Sequence, residues 1–176
     1  MHLLFAPALT CPASVEGPGL VVRVWKTDFQ IGVYQDGTLL AGPEGPACFS
    51  VALGAEPAGD KQARGDERTP EGEFRVTHRN PNSSFHKSLG LNYPTGRHAD
   101  AALAGGRIDK ATRDRVVNAD RPGRMPARDT GLGGDIYIHG GGHFPTWWTD
   151  GCVALDNTAM DWLYATAAPG TRVVIQ

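Results

Sequence analysis

A histidine and a cysteine lie 13 residues apart near the carboxyl-terminal end, and together they could perform nucleophilic chemistry. His139 follows the apolar run 136–138 and precedes three glycines, whereas Cys152 follows Gly151. An imidazole can accept a thiol proton near neutral pH, and backbone N–H groups can stabilise the oxyanion that forms when sulfur attacks a carbonyl. We therefore predict that Cys152 is the nucleophile and His139 its general base. The amides of Gly151 and Cys152 are the predicted oxyanion hole.

Other interpretations of the same residues remain open at this point. Cys152 could be a small buried residue, and His139 could be a hydrogen-bonded core histidine. His143 is a rival base, although the glycines between the two histidines disfavour a helix that would place both on one face. A zinc site would add His143 and Asp150, but there is no close cysteine pair and no His-Glu-x-x-His motif. The segment Gly140-Gly141-Gly142 is not expected to bind a nucleotide phosphate, because it lacks the lysine of a nucleotide-binding loop. We expect no metal and no cofactor.

The composition favours one globular domain. The chain has 176 residues and a net charge of −2, which gives no general attraction to nucleic acid or anionic lipid. It contains 23 glycines and 13 prolines, which favours many turns, and no apolar run approaches the roughly 20 residues of a membrane span. We predict an irregular segment over 1–19, a single catalytic domain over 20–176, and a monomer.

The amino-terminal end and the cysteines give weaker signals. The apolar run 3–9 has no lysine or arginine before it, so an export signal is not clearly indicated. Three cysteines form an odd and sparse set, which does not predict a disulfide framework. Cys48 is expected to be a small buried residue in a strand. Cys11 falls in the irregular segment, and its role is left open.

Hydrophobic alternation predicts short strands joined by tight turns. The expected strands are 20–26, 29–34, 38–40, 47–53, 73–78, 85–93, 135–139 and 171–175. Asp36-Gly37 predicts a hairpin, and 79–84 has the composition of a turn-rich connection. Residues 98–121 are expected to form a small helical insertion, capped at Asp109, that could be a flap over the site. A further helix is expected after the nucleophile, with a capping-box variant at Thr158.

Three separated blocks resemble the YkuD-type L,D-transpeptidases, which are peptidoglycan enzymes. The blocks are Arg68–Val76, His139-Gly140 and Thr149-Asp150-Gly151-Cys152. The segments 79–83 and 88–94 are similar to the YafK-like branch of that family. Ala154-Leu155 departs from the pattern, because many relatives carry an arginine there. The resemblance covers about residues 20 to 176.

The resemblance implies a mostly β fold with a sandwich- or barrel-like antiparallel sheet, a helical insertion and one helix after the catalytic cysteine. It implies acyl transfer through a thioester on peptidoglycan stem peptides, in the periplasm, in the cell envelope or after secretion. The residues expected to bind or shape the substrate are Gly140, His143, Thr149, Asp150, His86, Phe85, Ser84, Arg79 and Trp148. Trp147 and Trp148 could equally close the loop as a hydrophobic patch.

Several outcomes of this chemistry stay open in the sequence. Transfer to an amine would give 3→3 cross-links or exchange of the terminal D-amino acid, whereas transfer to water would give an L,D-carboxypeptidase. Hydrolysis could also release a wall-attached protein. The unclear export signal raises a further alternative, an antibacterial effector with an immunity partner. A wall-binding module without activity is the non-enzymatic alternative.

Overall fold

The computed structural model describes residues 9–176, so the apolar run 3–9 lies outside the described residues except for Leu9. The strands are β1 (Leu20–Trp25), β2 (Gln30–Gln35), β3 (Thr38–Leu39), β4 (Ala41–Gly42), β5 (Gly45–Pro46), β6 (Cys48–Ser50), β7 (Leu53–Gly54), β8 (Gly72–Ser83), β9 (His86–Leu91), β10 (Tyr137–His139), β11 (Trp147–Thr149), β12 (Val153–Ala154) and β13 (Arg172–Ile175). The helices are α1 (Gly96–Ala104), α2 (Lys110–Ala119) and α3 (Asn157–Thr166).

Nine strands form one mixed sheet, which confirms the mostly β class. The strand order is β12-β10-β9-β8-β13-β1-β2-β3, and β6 also pairs with β2. The pairs β1–β13 and β10–β12 are parallel, whereas the other pairs in this sheet are antiparallel. A parallel pair needs a crossover connection, and the loop 140–152 supplies it between β10 and β12. This crossover brings the start of β12 beside β10.

Local sequence explains one of the two hairpin turns and not the other. The β2–β3 hairpin has positive φ at Asp36 (49°) and Gly37 (82°), as the Asp-Gly pair predicts for a two-residue turn. The prediction of a turn over 79–84 was wrong, because β8 continues to Ser83 and pairs with β9 as far as His86. The turn is therefore only Ser84-Phe85, at the tip of a long β8–β9 hairpin.

The core lies on the sheet and is closed by α3. Ala159, Met160 and Leu163 of α3 pack into the main hydrophobic cluster with strand residues such as Val153 and Leu89. The cap of α3 differs from the prediction, because the Asp156 side chain accepts a hydrogen bond from the backbone N–H of Ala159 at 2.8 Å. Among residues 9–176, no helix has the length and apolar character needed to cross a bilayer.

The helical insertion forms a separate small cluster. The predicted cap is confirmed, since the Asp109 side chain accepts from the Thr112 N–H at 2.7 Å. Ala99, Ala102 and Val116 of α1 and α2 pack together with Leu132. None of the residues of α1 or α2 lines the cleft that holds Cys152. The insertion therefore forms no wall of that cleft, and its role as a flap stays a prediction.

Cys11 and Cys48 form a disulfide, which corrects the expectation drawn from the odd cysteine count. Their Cα atoms are 5.8 Å apart and their sequence separation is 37. The partner of Cys48 lies in the irregular amino-terminal segment, so no local pattern indicated the pairing. The segment is also tied to β3 by backbone bonds from Val15 to Gly37 and from Leu39 to Ala13. Cys152 is left as the free cysteine.

We expect reduction of this disulfide to lower the free energy of unfolding by about 3–4 kcal/mol, because the opened loop regains entropy in the unfolded chain. Urea denaturation with and without reductant, and of the double variant Cys11→Ser/Cys48→Ser, measures the change. Cys152→Ala is the matched control, since it keeps the disulfide and should keep the response to reductant. An unfolding midpoint that reductant does not move would contradict the expectation.

Candidate active site

Cys152 and His139 line one open cleft of about 560 Å³. One side is formed by the end of β8 and the tip of the β8–β9 hairpin, and the other by the approach to β10 and the loop that precedes β12. The lining residues are Arg64, Asn80, Asn82, Ser83, Ser84, Phe85, Ser88, Gly134, Asp135, Ile136, Tyr137, His139, Trp148, Thr149, Asp150 and Cys152. The cleft therefore joins most of the predicted site residues.

The register of β10 and β12 sets the position of the thiol. Ile138 pairs with Val153, so Cys152 lies beside Tyr137. The N–H of Tyr137 donates to the sulfur at 3.4 Å, and the sulfur lies 3.5 Å from the carbonyl oxygen of Asp135. Tyr137 and His139 are two residues apart on a strand and share a face. The thiol therefore lies against the backbone of β10, and it lines the same cleft as the imidazole.

His139 is held in the tautomer that a general base needs. Its Nδ1 lies 2.6 Å from the carbonyl oxygen of Gly140. A carbonyl can only accept, so Nδ1 carries the hydrogen and Nε2 keeps its lone pair. The ring is 4% exposed and stacks on Phe85 with centroids 4.6 Å apart. Trp148 meets it edge-on at 5.8 Å.

Both groups are neutral at rest. Burial raises the pKa of the Cys152 thiol to about 11; the Tyr137 N–H opposes this effect, and the carboxylates of Asp150 and Asp135 add to it. Burial also lowers the pKa of His139, against the opposing effect of the bond to Gly140. Among the described residues, no hydrogen bond joins Cys152 to His139. We therefore expect the thiol proton to be transferred to His139 during the attack on the substrate and not before it.

We expect Cys152 to react with iodoacetamide at pH 7.5 roughly 100-fold more slowly than a free cysteine. The thiolate is the reactive form, and the raised pKa of Cys152 leaves a smaller fraction of it at that pH. The rate should rise with pH towards an inflection near 11. Intact mass measures the reaction, since Cys11 and Cys48 are held in the disulfide. Fast alkylation with an inflection below pH 8 would show that the resting thiol is ionised.

The turn before the thiol differs in detail from the predicted oxyanion hole. The N–H of Gly151 donates to the Thr149 hydroxyl at 3.2 Å, and that hydroxyl donates to the Cys152 carbonyl at 2.7 Å. The Gly151 amide is therefore occupied. Within residues 9–176, the Cys152 N–H has no hydrogen-bond partner, which leaves it as the available donor for an oxyanion.

Gly151 is required by geometry instead. Its φ is +125°, and a Cβ there would lie 2.6 Å from the carbonyl oxygen of Arg68. The loop that carries Arg68 is tied down by the buried ammonium of Lys26, which donates to the carbonyls of Gly59 and Thr69 at 2.5 and 2.8 Å. The close approach of this loop fixes the turn that presents the thiol.

Gly140, directly after His139, is likewise required by close packing. A Cβ on Gly140 would lie 2.7 Å from Oδ1 of Asn157 and 2.9 Å from the carbonyl oxygen of Phe85. The N–H of Gly141 donates to the same Asn157 oxygen at 2.9 Å. The loop is thus fastened to the first residue of α3. Sequence reasoning gave Asn157 no role, because its contact is made across the fold.

Four predicted substrate-binding residues do not line the cleft: Gly140, which packs as described above, and Arg79, His86 and His143. The Arg79 guanidinium donates to the carbonyls of Ala165 and Ala167, both at 3.1 Å. The His86 ring pairs with Asp161 at 2.7 Å on the outer surface. His143 lines a different cavity, of about 430 Å³, together with the disulfide. A residue next to a cleft residue in the sequence need not line the cleft itself, because successive side chains of a strand point to opposite faces.

This placement also separates the residues of the zinc alternative. A site built from Cys152 and His139 needed His143, which faces the other cavity. Among residues 9–176 no group of three or more histidine, cysteine or acidic side chains is gathered closely enough to hold a metal ion.

The cleft contains residues that the sequence did not single out. They include Arg64, Asn82, Asp135 and Tyr137. Asp135 has a positive φ of 56°, a conformation that aspartate tolerates better than most residues, and its carbonyl faces the sulfur. The only sequence feature that could have indicated a role for Asp135 in the cleft is its position as an acidic residue just before β10. Arg64 comes from a polar loop, and nothing in the local sequence distinguishes it.

The fold and this cleft belong to a known class. The family model of the L,D-transpeptidase catalytic domain, YkuD, matches residues 20–175. The chain therefore belongs to the YkuD family of L,D-transpeptidase catalytic domains, as its motifs predicted. The finer assignment to the YafK-like branch stays a prediction. The comparison with curated protein sequences gives no match.

Solved structures share the fold. A variant of the helical cell shape determining protein Pgp2 from Campylobacter jejuni is 20% identical with a TM-score of 0.60, and the match covers 93% of this chain and 50% of that one. The L,D-transpeptidase from Xylanimonas cellulosilytica is 17% identical with a TM-score of 0.52, covering 95% and 65%. L,D-transpeptidase 1 of Mycobacterium tuberculosis is 13% identical with a TM-score of 0.50, covering 90% and 62%. The chain thus spans about half to two thirds of these solved chains, and at these identities the likeness shows the fold alone.

Proposed function

We propose that this protein is a cysteine acyltransferase that acts on peptidoglycan stem peptides as an L,D-transpeptidase. Membership of the family supports the substrate class. The main support for the proposed chemistry is that the partly exposed thiol of Cys152 and the buried imidazole of His139, with a free Nε2, line one cleft. A neutral thiol beside a neutral base is the resting state of general-base-assisted nucleophilic attack.

In the first half-reaction the sulfur of Cys152 bonds to the carbonyl carbon of the L-centred diamino acid at the third stem position. Nε2 of His139 accepts the thiol proton as the bond forms, and the Cys152 N–H stabilises the oxyanion. Collapse of the tetrahedral intermediate breaks the C–N bond to the terminal D-alanine. The departing amine takes the proton from His139, which leaves a thioester and a neutral imidazole.

In the second half-reaction an amine of another stem attacks the thioester. His139 accepts the amine proton and returns it to the departing thiolate, so the enzyme ends with a neutral thiol. The product is a 3→3 cross-link, or an exchanged stem when the amine belongs to a free D-amino acid. Attack by water on the same thioester would give the L,D-carboxypeptidase product.

We place this chemistry in the periplasm or the cell envelope. The family acts on cell-wall material, and a disulfide such as Cys11–Cys48 persists in oxidising compartments outside the cytoplasm. If the protein is instead an antibacterial effector, expression directed to the periplasm of a host should be toxic while cytoplasmic expression is harmless. Equal growth in both cases would count against the effector role.

Incubation of purified muropeptides with the protein, followed by mass spectrometry, tests the proposal. We expect dimers with the mass of two tetrapeptide monomers less one D-alanine, which form with the native protein and not with Cys152→Ala. Tripeptide products alone would identify a carboxypeptidase. Unchanged muropeptides, with a correctly folded protein, would contradict acyl transfer and favour a wall-binding module.

A further inference from the structure

A second, charged groove adjoins the cleft and is here called the outer groove. It has a volume of about 320 Å³ and is lined by Lys61, Arg64, Gly65, Glu67, Gly133, Gly134 and Asp150. Arg64, Gly134 and Asp150 line both the cleft and the outer groove. A substrate that reaches from Cys152 into the outer groove must therefore pass an arginine and an aspartate.

Arg64 is positioned by neutral groups and keeps its charge available. Its backbone N–H donates to the carbonyl of Gly131 at 2.9 Å, and one guanidinium N–H donates to the carbonyl of Arg128 at 2.7 Å. Within the part of the chain that the structure describes, no carboxylate lies within ion-pair distance of it. A guanidinium has five N–H donors, so most of them remain free for a ligand carboxylate.

Asp150 is the uncompensated anion that borders both cavities, whereas Glu67 borders the outer groove alone. The other carboxylate that lines the cleft, Asp135, is paired with Arg128 at 2.8 Å. Asp150 has no cationic partner among the described residues and does not pair with Arg64, although both line the same two cavities. Opposite charges that share a groove without neutralising each other are complementary to a ligand that carries both charges.

We propose that Arg64 and Asp150 determine donor specificity by binding a zwitterionic end of the substrate, Arg64 its carboxylate and Asp150 its ammonium. This inference rests on the proposed function, in which the third stem residue is a diamino acid attacked at its L-centre. The side chain of such a residue ends in an ammonium alone, as in lysine, or in an ammonium and a carboxylate, as in diaminopimelate. The two charges at the junction favour diaminopimelate.

The charge of Asp150 also affects the nucleophile. Together with burial, its carboxylate raises the pKa of the Cys152 thiol, which opposes thiolate formation. An ammonium bound to Asp150 would offset that charge next to the sulfur. A correct donor would therefore make its own attack easier, so that loss of the ammonium should lower kcat as well as raise KM.

The test compares three tetrapeptide donors in acyl transfer by the full chain. The first has diaminopimelate with both side-chain charges, the second has its side-chain carboxylate as a carboxamide, and the third has its side-chain amine acetylated. We expect kcat/KM for the first donor to exceed that for each of the others by roughly 10-fold to 100-fold, the range for a charge-assisted hydrogen bond.

Variants assign each charge to one residue. Arg64→Gln should lower kcat/KM for the first donor to the level of the carboxamide donor. Its kcat/KM for the carboxamide donor should stay within about twofold of the native value, because that donor lacks the carboxylate that Arg64 would bind. Asp150→Asn should likewise lower kcat/KM for the first donor. It should leave the acetylated donor unchanged or slightly faster, because the carboxylate that raises the pKa of Cys152 is then gone. Arg115→Gln and Asp129→Asn are the matched controls, since they remove the same charges from an ion pair of 3.1 Å outside the cleft. Both controls should keep the native preference.

The outcomes separate this inference from the proposed function. Turnover of all three donors at equal rates, or a native preference in Arg64→Gln and Asp150→Asn, overturns the specificity role and leaves acyl transfer standing. If no donor is turned over, the same three peptides are titrated into Cys152→Ala by calorimetry. Tighter binding of the first peptide, lost in Arg64→Gln/Cys152→Ala, would keep the binding role and reject the acyl transfer. Equal binding of all three would reject the inference as well.

Discussion

Cys152→Ala is expected to lower the rate of acyl transfer from a stem tetrapeptide by about 10⁴-fold or more, because no other group can form the thioester. Cys11 and Cys48 cannot substitute, since they are joined in the disulfide. The fold should persist, because Cys152 is partly exposed and its sulfur makes only weak contacts with Tyr137 and Asp135. We expect the unfolding midpoint in urea to stay close to that of the native protein.

Cys152→Ser sharpens this prediction. The hydroxyl keeps the shape of the side chain but is a poorer nucleophile, so its activity should also be lost while substrate still binds. Product formation is measured by mass spectrometry under conditions in which the native protein completes many turnovers. Activity in Cys152→Ala within tenfold of the native rate would mean that another residue carries the chemistry.

His139→Gln is expected to lower kcat/KM by about 10²-fold to 10⁴-fold, the usual contribution of a general base. The variant should also change its pH dependence. With no base, the rate depends on the thiolate fraction of Cys152, so it should rise tenfold per pH unit towards the thiol pKa of about 11. High pH should thus partly restore the variant.

The native rate should also rise with pH, but at lower pH than in the variant and only to a plateau. The active form needs a neutral imidazole, and burial lowers the pKa of His139 below its ordinary value of 6.5. Activity should therefore be present on a plateau above neutral pH and be lost as the pH falls through that lowered pKa. His86→Gln and His143→Gln are matched controls, because both rings lie outside the cleft, and each should stay within about twofold of the native kcat/KM. A loss in His143→Gln as large as that in His139→Gln would revive the rival base.

Patterns close along the chain predicted the fold well. Alternation located most strands, Asp36-Gly37 marked its hairpin, and Asp109 marked the start of α2. These features depend on contacts within a few residues, which the sequence displays directly. The prediction failed at 79–84, where polar and proline content indicated a turn but pairing with β9 holds an extended strand.

The sequence predicted the site residues that lie in or near the family motifs. It did not predict those that the fold brings into the cleft from distant parts of the chain. Cys152, His139, Phe85 and Trp148 line the cleft as expected. Arg64 reaches it from a loop distant in sequence. The disulfide was missed for the same reason, since a pairing across 37 residues has no local signature.

The protonation of the thiol could not be read from the motif either. A cysteine near an imidazole is commonly activated as an ion pair. Here burial is the largest influence on both groups, raising the pKa of Cys152 and lowering that of His139. Burial depends on the packing of the β8–β9 hairpin tip over the imidazole, which only the folded structure displays.

The most direct test of this account is the intact mass of the protein during reaction with a stem tetrapeptide donor in the absence of an acceptor amine. The account predicts a covalent adduct with the mass of the tetrapeptide less its terminal D-alanine, located on Cys152 by peptide mapping and formed far more slowly by His139→Gln. An adduct on any other residue, or product formation without an adduct when hydrolysis is slowed by rapid acid quenching, would contradict it.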